Sequence, residues 1–89
     1  VLYGNWPNPF NPETQIRYQV AEEGPVTLRV YDMTGQTIVG LVSEHQSAGT
    51  YTVRWNGLDD AGHAVATGVY FYRLEAGGNV LTRKMSLLR

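Results

Sequence analysis

The chain has 89 residues, no cysteine and a formal net charge of −1, from seven Lys plus Arg against eight Asp plus Glu. This length makes one domain, residues 1–89, burying roughly two-thirds of its unfolded surface. The composition excludes disulfides and thiolate metal sites, and the near-neutral charge argues against a nucleic-acid partner or a polybasic membrane anchor, both of which need clustered cations.

The start, Val1-Leu2-Tyr3-Gly4-Asn5, lacks the basic and apolar regions of a signal peptide and has no initiator Met, so an excised or processed piece is expected. No apolar run approaches the ~20 residues that span a bilayer, so no membrane insertion is expected. Asn8-Pro9-Phe10-Asn11-Pro12 follows. Each Pro fixes its own φ and holds the preceding Asn extended, giving a stiff lead into the first strand, with Trp6 and Phe10 placed to cover one end of a core.

Period-two alternation then begins. Ile16, Tyr18 and Val20 alternate with Gln15, Arg17 and Gln19. After Glu22-Glu23-Gly24-Pro25, the residues Val26, Leu28 and Val30 face inward. Asp32-Met33-Thr34-Gly35 reads as a tight turn, with Asp accepting backbone amides and Gly free to take a positive φ. A third run spans about Gln36–Val42 with its facing open, and Ser43–Gly49 reads as a polar connection. Tyr51, Val53 and Trp55 form the next inward set. Asn56–Thr67 is the longest irregular stretch and repeats the turn pattern as Asp59-Asp60-Ala61-Gly62.

Gly68–Glu75 carries bulk on both faces and reads as a central strand, with Tyr70, Tyr72 and Leu74 on one side. Gly77-Gly78-Asn79 is a hairpin turn. The last strand runs from about Val80 to Leu88, with Met85 and Leu87 inward and Lys84, Ser86 and Leu88 outward. No window keeps helical spacing. The expected fold is an all-β immunoglobulin-like sandwich of about seven antiparallel strands, counting six long ones and an extended N-terminal piece.

Candidate chemistry is sparse. Asp59, Asp60 and Asn56 fall short of the six to eight oxygen ligands of calcium, so turn formation is the expected role. His45 and His63 are placed on loops, without a third His, so metal binding or catalysis by either is not expected. Ser43, Ser47 and Ser86 lack a Gly-x-Ser-x-Gly setting. Glu22 and Glu23 precede a turn, and no Gly-rich phosphate loop occurs. The residues therefore predict no catalytic centre, no metal and no cofactor. The aromatics Trp6, Trp55, Tyr51, Tyr70, Phe71 and Tyr72 could form a carbohydrate platform if exposed, but most fall on inward positions. Gly68-x-Tyr70 stands where sandwiches place a tyrosine corner, a Tyr whose hydroxyl bonds the upstream backbone.

An ordered set of motifs runs through the chain: Asn5-Trp6-Pro7-Asn8-Pro9-Phe10-Asn11-Pro12, Val30-Tyr31-Asp32-x-x-Gly35, Ala48-Gly49 followed by Trp55-Asn56-Gly57, Asp59-x-x-Gly62, Gly68-Val69-Tyr70-Phe71-Tyr72-Arg73-Leu74 and Lys84-Met85-Ser86-Leu87-Leu88-Arg89. Together they resemble the type A C-terminal sorting domains of the type IX secretion system. The section from Trp55 to Tyr72 is also similar to the immunoglobulin-like domain of flagellar hook-capping proteins. Trp6 stands where the sorting family usually has Tyr, and Arg89 where it frequently has Lys.

That resemblance implies a folded export signal at the C-terminus of a larger secreted bacterial protein. Its implied partners are a type IX translocon, a surface transpeptidase and an N-terminal passenger in the same chain. The implied destination is the cell surface, reached through the periplasm and outer membrane. The transpeptidase would remove the domain and join the passenger to a lipopolysaccharide anchor. The domain itself would do no chemistry. The residues to which recognition is assigned are Asn8, Pro9, Asn11, Pro12, Gly68, Tyr70, Lys84 and Arg89. Arg83, Lys84 and Arg89 concentrate charge at the terminal strand, whose open edge either meets the export machinery or is merely kept from pairing by those cations. The alternatives are a structural module of a surface or flagellar assembly and, behind it, a carbohydrate-binding module.

Overall fold

The computed structural model describes residues 1–89. Its six strands are β1 (Thr14–Val20), β2 (Gly24–Tyr31), β3 (Thr37–Gln46), β4 (Gly49–Trp55), β5 (Gly68–Ala76) and β6 (Asn79–Leu87). All named pairings are antiparallel, in two sheets: β1-β4 and β3-β2-β5-β6. The chain is an immunoglobulin-like β-sandwich.

The alternation in the sequence becomes the gap between the sheets. Ile16, Tyr18 and Val20 from β1 meet Val26, Leu28 and Val30 from β2, with Tyr70, Tyr72, Leu74, Met85 and Leu87 from β5 and β6. Complete burial of an aliphatic side chain stabilises the fold by about 1.5–3 kcal/mol, so this single cluster carries most of the stability. β5 lies between β2 and β6, which explains the bulk on both its faces. Gly77 and Gly78 both have positive φ, at +57° and +78°, as a two-residue type I′ hairpin turn requires.

Four readings of the sequence are corrected. The N-terminal piece is not a continuous seventh strand; it makes isolated antiparallel bridges to β1 (Leu2 with Tyr18, Trp6 with Gln15) and then one parallel bridge to β6 (Phe10 with Leu87). Pro7, Pro9 and Pro12 offer no N–H to a ladder, so pairing is interrupted while the segment crosses from one sheet to the other. Ser43–Gln46 belongs to β3, because its backbone pairs with Gly24–Thr27 regardless of its polar side chains. His45 is therefore on a strand, and its Nε2 lies 2.8 Å from Glu23 Oε2. Trp6 does not cover the core; it is 76% exposed, whereas Phe10 is buried.

The two Asp-x-x-Gly turns are built alike. Asp32 Oδ1 accepts the amides of Thr34 and Gln36, and Asp59 Oδ1 those of Ala61 and His63. In each, the Gly amide donates to the Asp carbonyl, and Gly35 and Gly62 take φ of +89° and +83°. Asp60 Oδ1 accepts the Gly40 amide and Asn56 Oδ1 that of Leu58. Asn56, Asp59 and Asp60 thus each cap backbone donors with their side chains.

Candidate functional site

Several of the motif-bearing residues converge at one end of the sandwich. Its floor is aromatic: Phe10 lies 5.6 Å from Trp55, and Trp55 lies 5.5 Å edge-on from Tyr70. Trp55 Nε1 donates to the Leu58 carbonyl at 2.9 Å, so the buried indole is satisfied by the loop above it. Tyr70 Oη donates to the Ala66 carbonyl at 2.6 Å, forming the expected corner at the loop's exit into β5. Burial pushes the Tyr70 phenol above its usual pKa, partly offset by the nearby Arg89 charge.

Above this floor the two ends of the chain are tied together. Phe10 N donates to the Ser86 carbonyl and Leu88 N to the Phe10 carbonyl. Asn8 Oδ1 accepts the Ser86 amide at 3.0 Å. Arg89 then turns into the Asn56–Thr67 loop. Its Nε donates to the Val65 carbonyl at 2.6 Å, its Nη2 to the Gly57 carbonyl at 2.8 Å, and its backbone amide to Thr67 Oγ1. Gly57 has φ of +75°, and a Cβ there would lie 2.8 Å from Arg89 Nη2 and 3.1 Å from the Pro12 carbonyl. Only glycine fits this crossing.

Of the eight residues assigned to recognition, Asn8, Pro12, Gly68, Tyr70 and Arg89 meet here, Gly68 facing Leu87 across the β5–β6 ladder. Pro9 and Asn11 lie exposed on the same N-terminal segment. Lys84 stands apart on β6, exposed and opposite Phe71, without an ion pair. The charge clustered at the terminal strand is largely committed: Arg89 is held by loop carbonyls, and Arg83 Nε donates to the Leu2 carbonyl at 2.7 Å. The terminal edge is not open throughout, because Asn8 and Phe10 occupy it at Ser86–Leu88.

Sequence reasoning missed one polar knot. Asn5 and Thr14 are buried; Asn5 Nδ2 donates to Thr14 Oγ1, whose hydroxyl donates to the Pro7 carbonyl. The only sequence signal was a Thr at the inward phase of β1, two residues before Ile16. Of the six aromatics weighed as a platform, Trp55, Tyr70 and Tyr72 are in the core and Tyr51 and Phe71 are half-buried, leaving Trp6 exposed.

The profile of the FlgD Ig-like domain matches residues 11–79. The chain belongs to this family. Among solved structures it is similar to PorU of Porphyromonas gingivalis, with TM-score 0.74 and 18% identity over 98% of this chain and 9% of that one. It is also similar to PorZ of the same organism, described as an essential bacterial surface component of the type-IX secretion system, with TM-score 0.66 and 21% identity over 99% of this chain and 11% of that one. FlgD of P. aeruginosa aligns with TM-score 0.60 and 19% identity over 83% of this chain and 58% of that one. At these identities the likeness is one of fold. No curated protein sequence matches the chain. The FlgD Ig-like profile leaves residues 1–10 and 80–89 unmatched, and these are the segments that meet at Phe10 and Leu87.

Proposed function

We propose that this domain is a non-catalytic C-terminal sorting module that directs a passenger across the outer membrane by type IX secretion and on to cell-surface attachment. The observation that carries the reading is the joined pair of tails. The Asn-Pro-Phe-Asn-Pro segment and the Lys-Met-Ser-Leu-Leu-Arg strand lie largely outside the residues that the FlgD Ig-like profile matches, carry the sorting resemblance, and are hydrogen-bonded to each other. The near-complete superposition on parts of PorU and PorZ supports the same reading. In it the translocon and the surface transpeptidase act on the domain, which does no chemistry itself. The exposed residues Pro9, Asn11 and Lys84 are then the first to be read, while Tyr70, Gly68 and Arg89 hold the surface in shape.

The test is to fuse residues 1–89 behind a reporter in a type IX-competent host. Surface or medium delivery is expected; a reporter retained in the periplasm counts against the proposal. The FlgD family match favours a second reading, a structural module of a surface or flagellar assembly. A host in which the fusion stays put but co-purifies with such an assembly would select it.

A further inference from the structure

The two sheets have four edges, and that of β1 is covered by the N-terminal segment, which bonds to it from Val1 to Trp6. The β3 edge is partly occupied, since Asp60 N donates to the Ile38 carbonyl and Asp60 Oδ1 accepts the Gly40 amide. β4 presents only polar exposed side chains, Thr50, Thr52 and Arg54. β6 differs, with Val80 58% exposed and Leu81 39% exposed beside an unpaired backbone. Ser86 and Leu88 spend their edge-facing groups on Asn8 and Phe10. The β5–β6 register has no bulge, so by period two the edge-facing groups before them belong to Val80, Thr82 and Lys84.

We propose that this edge pairs with a second copy of the chain, β6 against β6, antiparallel about a twofold axis at Thr82. The free stretch is bounded by the Gly77–Gly78 turn on one side and by the Asn8–Phe10 cover on the other. It runs from Asn79 to Met85, and Thr82 is its midpoint. An isologous pairing therefore uses all of it, and the second copy's hairpin ends where the cover begins.

That register sets Thr82 against Thr82, Val80 against the second copy's Lys84, and Leu81 against its Arg83. No like charges face each other. An edge lysine ordinarily discourages pairing, but here the axis holds the two Lys84 residues four positions apart along the ladder, ~13 Å. Each instead flanks Val80 on the side opposite Glu75, which faces Val80 across the β5–β6 ladder. The acidic and basic side chains thus bracket an exposed valine on one sheet face, and the two four-stranded sheets become one of eight. The inference does not depend on the sorting reading.

The test is sedimentation of the 89-residue chain over rising concentration. A reversible dimer is expected, with Kd on the order of 10–1000 µM, because the contact falls below the ~1,200 Å² of stable interfaces. Thr82→Pro removes an edge-facing N–H at a position where sheets tolerate proline, and should give a folded monomer with dimerisation weakened at least about tenfold. Lys84→Glu, an exposed change that puts an acid on both sides of Val80, should weaken it severalfold and decides the matter if the proline variant unfolds. Lys84→Val should strengthen it. A wild-type chain that stays monomeric at about 1 mM overturns the proposal, whether or not the edge then takes up an added heterologous strand peptide. A dimer indifferent to Thr82→Pro and Lys84→Glu overturns it equally, by placing the interface elsewhere.

Discussion

Tyr70 shows how one hydroxyl serves two elements. Its ring closes the aromatic floor beside Trp55, and its hydroxyl pins the loop at Ala66. Tyr70→Phe keeps the ring and should cost about 1 kcal/mol, rising if the Ala66 carbonyl finds no other donor. A lowered urea midpoint with unchanged slope is expected; an unmoved midpoint would refute the bond's contribution. Tyr18 and Tyr72 are similarly placed, donating to Gln46 Oε1 and the Tyr3 carbonyl. Burial raises the pKa of all three above the usual phenol value. A raised folded pKa means stability is complete below about pH 10, where unfolded phenol titrates, and is lost as pH rises through the folded values. Ultraviolet titration should show these tyrosines ionising late, together with unfolding. Asp32 works in the opposite direction: the Thr34 hydroxyl, then backbone amides, hold its carboxylate below the usual range. Its contribution is present above about pH 4 and fades as pH falls through the depressed value. Carboxyl NMR titration checks the direction.

At the scale of elements, Arg89 links the end of β6 to the loop between β4 and β5. Its planar fork reaches the Gly57 and Val65 carbonyls together, which the single ammonium of lysine cannot reproduce. Arg89→Ala should lower stability by about 1–2 kcal/mol and speed amide exchange at Ser86 and Leu88, while Arg89→Lys should recover only part. Gly57→Ala should cost about 1–3 kcal/mol through its positive φ and the collision with Arg89 and Pro12. Unfolding measurements on the two variants and their combination decide whether they act together. If Arg89 and Gly57 form one contact, the combined loss will be smaller than the sum.

For the whole molecule, folding and recognition must be separated. Removing Lys84–Arg89 deletes Met85 and Leu87, both fully buried in the core, so lost secretion after that truncation reports unfolding as much as recognition. Single truncations of such side chains already cost about 2–5 kcal/mol, a large share of the stability of a domain this size. Lys84→Ala is the cleaner probe. On an exposed edge it should change stability by no more than about 0.5 kcal/mol, and the sorting proposal expects reduced export of a fused passenger. Normal export of that stable variant would remove Lys84 from the recognition surface.

Local chemistry by itself determined the class, the apolar inward set of every strand except β3, both Asp-x-x-Gly turns, the Gly77–Gly78 hairpin and the tyrosine corner. Each rests on a rule spanning few residues: period two, a turn's demand for Gly, or a Tyr beside the start of its strand. β3 was only partly legible, because its polar end, Ser43–Gln46, is held by pairing with β2 and not by burial of its side chains. Trp6 and Arg89 needed the tertiary structure outright. The prolines carry the N-terminal segment from one sheet to the other, which turns Phe10 inward and leaves Trp6 in solvent. Arg89 finds its acceptors on a loop more than twenty residues earlier in the chain. The union of residues 8–10 with residues 86–88, and hence the extent of free edge on β6, joins positions nearly eighty apart. Nothing in the local sequence encodes such a separation; it is set when the two sheets close on a shared core.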